Sequence, residues 1–161
     1  MKKKLMMVLA AFSVILLVGC KSLEPKEFTG AGITIELNDS FIQKEVIQAP
    51  LYLESPQHIF MGIRESKSEL AGYGVSTTEQ YIGAVLNAHG KTATVEQYNE
   101  GDLTYYYAYY TATVNEQTFG YMLFVLEGES HFYSMNFGCV EKDLEKNKTQ
   151  YNDWIKTITV E

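Results

Sequence analysis

Residues 118–126 limit how this chain can fold more than any other stretch, because a strand there is apolar on both sides. Side chains of a strand alternate between the two faces of a sheet. The two rows are Met122, Phe124 and Leu126 on one side and Phe119, Tyr121, Leu123 and Val125 on the other. Such a strand is stable only when other elements cover both faces. The sequence therefore predicts a layered fold with this strand inside a sheet.

The strand belongs to a predicted antiparallel meander in the second half of the chain. Its four strands are predicted at residues 93–98, 103–114, 118–126 and 131–139. Short connections between them favour antiparallel pairing. Ahead of the meander, the alternation of Ile33, Ile35 and Leu37 predicts a half-buried strand. Further strands are predicted at residues 41–48, 51–54 and 59–63, and the polar, glycine-containing residues 65–75 predict a loop.

Two amphipathic helices are predicted, one for each face of the sheet. The first covers residues 77–89, with Ser76 and Glu79 as a capping box and Gly90 as a left-handed stop. The second covers residues 148–157, where apolar side chains recur at helical spacing. The predicted class is α+β: an antiparallel sheet of about six strands flanked by helices on both faces, an α/β/α sandwich.

The first 19 residues carry the pattern of a secretion signal. Residues 1–4 are cationic, and residues 5–19 form an apolar run of 15 residues that only Ser13 interrupts. A transmembrane helix needs about 20 apolar residues, so this run is too short to span a bilayer comfortably. We predict a signal peptide at residues 1–19.

The end of this segment, Leu17-Val18-Gly19-Cys20, resembles the lipobox of bacterial lipoproteins. The resemblance implies cleavage after Gly19 and diacylation of Cys20, and two acyl chains give durable membrane anchoring. We therefore expect a lipid-anchored protein on the extracytoplasmic face of a cell membrane. The alternative is an ordinary secretory signal, or a short membrane helix, with a chance cysteine at its end. The pattern fits both monoderm and diderm hosts.

Residues 20–32 are polar, contain Pro25, Gly30 and Gly32, and lack an apolar period. We predict a lipidated tether there, with a reach of roughly 20 Å for twelve flexible residues. Residues 33–161 then form a single domain, which matches the usual size of one folding unit.

The mature protein is predicted to be strongly acidic. Removing Lys2, Lys3 and Lys4 from the 13 basic residues leaves ten, against 20 acidic residues, for a net charge of −10. Such a domain repels phosphate backbones and anionic headgroups. We therefore expect no nucleic-acid partner and no direct binding to a lipid surface, and the acidic charge weakly favours cationic partners or metal ions instead.

The lipid would occupy the sulfur of Cys20, so Cys139 has no disulfide partner. Cys139 lies in an apolar segment that reads as a strand. We predict a buried free thiol with a packing role.

Several segments together resemble the PsbP-like fold over residues 33–160. They are the strand at 32–37, the helix around 78–82, the aromatic meander and the closing segment 151–158. Members of that family include a photosystem II extrinsic subunit, a Ran-binding nuclear import factor and many bacterial lipoproteins. The resemblance implies an antiparallel sheet between helices and an anchored binding or assembly role. It supplies no catalytic motif that maps onto this chain.

The sequence contains little that indicates catalysis. Residues 128–132 differ from a nucleophile elbow at Phe132, and strand alternation would send Ser130 and His131 to opposite faces. His58, His89 and His131 show no spacing typical of metal ligands. We expect no catalytic residue, no metal and no cofactor.

Tyrosine is the unusual residue, with 12 in the chain. Alternation places Tyr105, Tyr107 and Tyr109 on one face of a single strand. With His131 or Tyr133 from a neighbouring strand, this row could line a groove for a peptide or small ligand, since tyrosine combines a rigid apolar ring with a polar tip. The alternative is simple packing, because aromatic side chains suit half-buried strands.

These observations predict a non-enzymatic, membrane-anchored binding or accessory module that contacts a protein at the membrane surface. The alternative is a small-molecule-binding lipoprotein that serves a transporter or sensor. A hydrolase is the third possibility, and the sequence favours it least.

Overall fold

The structure, a computed structural model, describes residues 22–161. The predicted signal peptide, its Leu17-Val18-Gly19 motif and the lipid site at Cys20 lie outside this range. The described strands are β1 (Pro25–Gly30), β2 (Ile33–Asn38), β3 (Ile42–Val46), β4 (Ala49–Glu54), β5 (Ile59–Ser66), β6 (Glu96–Glu100), β7 (Leu103–Val114), β8 (Gln117–Glu127), β9 (His131–Val140) and β10 (Thr159–Val160). The helices are α1 (Lys67–Ala71), α2 (Thr78–Ala88) and α3 (Leu144–Ile155), and a 3-10 turn at Glu141–Asp143 precedes α3.

The strands form two antiparallel sheets. A seven-stranded sheet has the order β3-β4-β5-β9-β8-β7-β6, and a three-stranded sheet has the order β1-β2-β10. The predicted α+β class with an antiparallel sheet is confirmed. The large sheet has seven strands, against about six predicted. Strands β1 and β10 were not predicted, because β1 is mostly exposed and β10 has only two residues, so neither shows an apolar pattern.

Both faces of the large sheet carry a buried cluster, as the doubly apolar strand predicted. One face, here called the α3 face, packs Met122, Phe124 and Leu126 beneath α3 and the three-stranded sheet. The opposite α2 face packs Leu123 and Val125 beneath α2. The helices therefore lie on opposite faces, and β8 runs through the middle of the sandwich.

Helix α2 begins one residue later than its sequence signal suggested. Thr77 is the N-cap, and its hydroxyl accepts a hydrogen bond from the Gln80 amide at 3.2 Å. The Gln80 side-chain oxygen in turn accepts a hydrogen bond from the Thr77 amide. The Ser76 and Glu79 capping box is thus corrected to the next pair of residues, which has the same spacing. Gly90 adopts a φ of 61° after the helix, as predicted.

A second correction concerns residues 65–75, which were predicted to be a loop. Lys67–Ala71 form the single-turn helix α1, and the Lys67 amide donates to the Ser130 carbonyl at 3.0 Å. One turn of helix is too short to show an apolar period in the sequence. The local sequence pattern therefore did not reveal this helix, which contacts the β8–β9 turn.

The segment at residues 20–32 differs from the predicted tether. Residues 25–30 pair along their whole length with β2, from Pro25 opposite Asn38 to Gly30 opposite Ile33. Phe28 is only 5% exposed and belongs to the core on the α3 face. A strand with one buried side chain shows no alternation in its sequence, so β1 becomes recognisable only once its partner is known.

Cys139 is a buried free cysteine, which confirms the prediction. Among residues 22–161, no helix combines the length and the apolar character needed to cross a membrane.

Candidate binding site: an open tyrosine face

The structure keeps the predicted row of Tyr105, Tyr107 and Tyr109 together on the α3 face. Successive ring centroids along β7 lie 5.8 and 5.7 Å apart. Tyr105 is 1% exposed, and its hydroxyl donates to Asn152 of α3 at 2.7 Å. The other two rings are half-buried: the Tyr107 hydroxyl donates to Glu96 at 3.0 Å, and the Lys148 ammonium lies 4.4 Å from the Tyr109 ring centroid.

His131 and Tyr133 lie on β9, which β8 separates from that row. Tyr133 is fully buried, and its hydroxyl donates to the Glu161 carbonyl at 2.8 Å. The half-buried His131 ring lies 6.2 Å from the Tyr133 ring. The five predicted residues thus share a face but form two groups, each engaged by side chains or backbone of the same chain. Ligand binding at this row stays a prediction.

Ser130 and His131 lie closer than strand alternation suggested. The Ser130 hydroxyl and the His131 Nδ1 are 2.9 Å apart, because Ser130 belongs to the turn before β9 and is free to bend toward its neighbour. Within residues 22–161, the ring of His131 has no hydrogen-bonded carboxylate to orient it. Nor do the described residues contain a group of three or more His, Cys, Asp or Glu side chains that could hold a metal ion.

The opposite α2 face has an uncovered half that the sequence did not single out. Helix α2 packs over Ala108, Leu123, Val125 and Phe132. Beyond it, six half-buried side chains from β4, β5, β7 and β8 remain open to solvent, and we call this surface the open tyrosine face. Its members are Tyr52, Ile59, Met61, Tyr110, Phe119 and Tyr121. Strand registers place Tyr110 opposite Tyr121 and Tyr52 opposite Met61.

Two rings of the open tyrosine face, those of Tyr110 and Tyr121, are held in place by their neighbours. Tyr110 and Tyr121 stack with centroids 5.1 Å apart and planes 13° from parallel. The Tyr110 hydroxyl donates to the Asn136 side chain at 3.0 Å. Gly138 leaves room for the Tyr121 ring, because a Cβ at residue 138 would lie 2.8 Å from its Cε1 atom. This pair of rings is therefore restrained before any ligand binds.

A cavity of about 340 Å³ opens on this face. Tyr52, Ile59, Phe119 and Tyr121 line it, and Val114 and His58 lie at its rim. A second cavity, of about 380 Å³, lies between α2 and the sheet, where Glu65, Tyr81 and Ser134 supply its polar groups. The Tyr81 hydroxyl there donates to Glu65 at 2.6 Å.

The tyrosine hydroxyls of the open face remain protonated at neutral pH. Burial raises the pKa of Tyr110 to about 12, with a smaller contribution from Tyr121. Burial also raises the pKa of Tyr52, helped by Glu54, and the pKa of Tyr121, helped by Tyr52. The face therefore offers apolar rings together with neutral O–H groups, which suits a mixed apolar and polar ligand.

His58, at the rim of this cavity, predicts a pH dependence of stability. Its Nδ1 lies 3.1 Å from the Tyr151 hydroxyl, and burial lowers its pKa, which Asp143 only partly offsets. The unfolded chain then binds more protons below the ordinary histidine pKa of about 6.5. The contribution of His58 to the free energy of unfolding should fall as the pH drops from 7.5 to 5.5, with a slope of at most about 1.4 kcal/mol per pH unit.

Urea unfolding at several pH values checks this result, with His58→Gln as the comparison. The two proteins differ only at residue 58, so the difference between their pH profiles isolates the contribution of His58. Wild type should lose more stability than the variant between pH 7.5 and 5.5. Parallel profiles would mean that His58 does not titrate differently in the folded and unfolded states.

No family model matches this sequence, and no curated protein matches it. Solved structures do match. CyanoP, a cyanobacterial PsbP from Synechocystis, is similar over 89% of this chain and 95% of its own, with a TM-score of 0.60 and 15% identity. The yeast Ran-binding protein Mog1p, from Saccharomyces cerevisiae, is similar over 86% of this chain and 96% of its own, with a TM-score of 0.54 and 10% identity.

A protein from Bacteroides thetaiotaomicron is similar over 84% of this chain, with a TM-score of 0.59 and 11% identity. This chain spans about half of that protein, since the match covers 48% of its length. The three likenesses confirm the predicted PsbP-like fold. Identities this low are evidence for a shared fold only.

Proposed function

We propose that this protein is a membrane-anchored, extracytoplasmic binding module that holds a segment of another protein on the open tyrosine face. The observation that carries the proposal is the uncovered half of the α2 face, where four of the six half-buried side chains of the open tyrosine face line a cavity. A contiguous apolar surface of this kind is typical of a protein interaction site. Tyrosine is among the residues enriched at the centres of such interfaces.

Two further features support a protein partner. The rings are already fixed by stacking and by the Tyr110–Asn136 hydrogen bond, so binding costs little side-chain entropy. The same fold occurs in a Ran-binding protein, in agreement with a binding role. The anchor is the diacylated Cys20 that the lipobox-like sequence predicts, and it would keep the module, with a mature net charge of −10, beside a membrane.

Site-specific photo-cross-linking in living cells tests the proposed surface. A photoreactive phenylalanine analogue in place of Tyr121 should give a discrete protein adduct, because Tyr121 lines the cavity. The same analogue in place of the exposed Tyr73, outside the open tyrosine face, is the matched control and should give none. Phe119→Ala should weaken the adduct at residue 121. Equal adducts at both positions, or none at residue 121, would contradict the proposal.

A small ligand is the second candidate, favoured by the cavity itself. Its volume of about 340 Å³ is comparable to the smaller ligand pockets, which start at roughly 300 Å³. Mass spectrometry of the natively purified protein after denaturation would then detect a stoichiometric small molecule. Tyr121→Ala should release that molecule if the open tyrosine face holds it.

A further inference from the structure

The chain enters the described domain at one end of the sandwich. The Asp39 amide donates to the Glu24 carbonyl at 2.8 Å, and the Glu24 amide donates to the Asp39 carboxylate at 3.3 Å. Pro25 then lies opposite Asn38, at the end of β2. Glu24 therefore contacts the turn between β2 and β3.

The same end of the molecule carries several strand tips of the large sheet, and we call it the entry end. The strand registers show that these tips are aligned. The opposite pairs are Ile42 and Glu54, Glu54 and Ile59, Ile59 and Gly138, Phe119 and Val140, and Val114 and Gln117. The cavity of the open tyrosine face lies at this end, since the β4–β5 turn, Val114 and Val140 line it. Helix α2 covers the other end of that face.

The link between the predicted anchor and the entry end is short. Because β1 begins at Pro25, only four residue steps separate Cys20 from Glu24. Even a fully extended chain spans about 3.5 Å per residue, or about 14 Å in all. The entry end therefore cannot move far from a lipid attached to Cys20, whatever the conformation of the intervening residues.

We propose that the entry end faces the bilayer, so that the open tyrosine face takes a juxtamembrane segment of an integral membrane protein. This inference rests on the proposed anchoring at Cys20. The short link holds the entry end close to the bilayer, and the cavity lies at that same end. A partner segment must then emerge from the membrane close beside the anchor.

Surface chemistry at the entry end agrees with this orientation. Three of the five large apolar side chains that are exposed in residues 22–161 lie there: Leu23 at 58%, Ile42 at 52% and Val114 at 50%. Glu116 lies in the turn between β7 and β8, and Glu141, Lys142 and Asp143 form the 3-10 turn after β9. Apolar side chains favour contact with the interface, while the carboxylates oppose insertion among anionic headgroups. The end should rest on the bilayer surface without entering it.

Fluorescence quenching by lipids spin-labelled at the headgroup tests the orientation. Gln117→Cys places a fluorophore at the first residue of β8, and Glu129→Cys places one just after its other end; β8 has 11 residues and so is roughly 36 Å long. Both positions are exposed, and neither belongs to the open tyrosine face. Cys139 is buried and should stay unlabelled in the native acylated protein. In vesicles, the label at residue 117 should lose most of its emission, and the label at residue 129 should keep it.

A variant with a longer link tests whether the short link causes the difference in quenching between the two labels. Inserting about 12 Gly and Ser residues after Ser22 adds roughly 20 Å of root-mean-square reach and should largely remove the difference between the two labels. Equal quenching of both labels with the native link, or stronger quenching at residue 129, would overturn the orientation. Protein that fails to float with vesicles would instead refute the anchor. Loss of the Tyr121 adduct in cells, with the quenching pattern intact, would refute only the binding surface.

Discussion

A variant that begins at residue 31 is expected to lose more than about 3 kcal/mol of folding free energy, or to fail to fold cooperatively. The truncation removes Phe28, whose side chain is 5% exposed in the α3-face core, and a change from Phe to Ala at such a site typically costs about 3–5 kcal/mol. It also removes all six residues that pair with β2. Strand β2 would then keep only its short pairing with β10.

Chemical denaturation followed by circular dichroism measures this loss, and two companions make the result interpretable. A variant that begins at Leu23 keeps β1 and the hydrogen bonds between Glu24 and Asp39, and should unfold at the same denaturant concentration as one that begins at Lys21. In the chain that begins at Lys21, Phe28→Ala should cause a large part of the same loss of folding free energy, although no residue is removed. If the variant that begins at residue 31 is as stable as its longer counterpart, residues 25–30 are a tether, as the sequence suggested.

Strand β1 is one of the elements that the sequence alone does not reveal. Strands β7, β8 and β9 and both long helices were predicted to within a few residues at each end, because each carries a repeated apolar period. Strand β1 buries one side chain and α1 buries none, so neither has a period to detect. Their structure depends on partners that are distant in sequence: β2 for the strand and the β8–β9 turn for the helix.

The candidate site was harder to predict than the fold. Alternation correctly divided the β7 tyrosines, placing Tyr105, Tyr107 and Tyr109 on one face and Tyr110 on the other. It could not show which face would stay open, since that depends on how much surface each covering element spans. Helix α2 has 11 residues and so is roughly 16 Å long, whereas β7 has 12 and is roughly 40 Å long. That mismatch is visible in the sequence and could have pointed to an uncovered half.

The second large expected effect is the loss of stability in Phe137→Ala, beneath the layer that covers the α3 face. Phe137 is fully buried on β9 and contacts four other rings. Its centroid lies 4.7 Å from Tyr151, 5.0 Å from Phe60, 5.4 Å from Trp154 and 5.6 Å from Phe124. Tyr151 and Trp154 belong to α3, so this ring joins the helix to the sheet. We expect a loss of about 3–5 kcal/mol, because a dense ring cluster can collapse only partly into the space left behind.

Phe119→Ala is the matched comparison, since Phe119 lies on the neighbouring strand but is half-buried on the open tyrosine face. It removes the same atoms where no covering layer exists, so the free energy of unfolding should fall by less than half as much as in Phe137→Ala. Urea denaturation of the two variants measures both changes. Phe119→Ala should nevertheless weaken the adduct formed by the photoreactive analogue at residue 121, because Phe119 lines the cavity. Equal losses of stability would mean that the half of the face beyond α2 is core, and that a partner has no open surface there to bind.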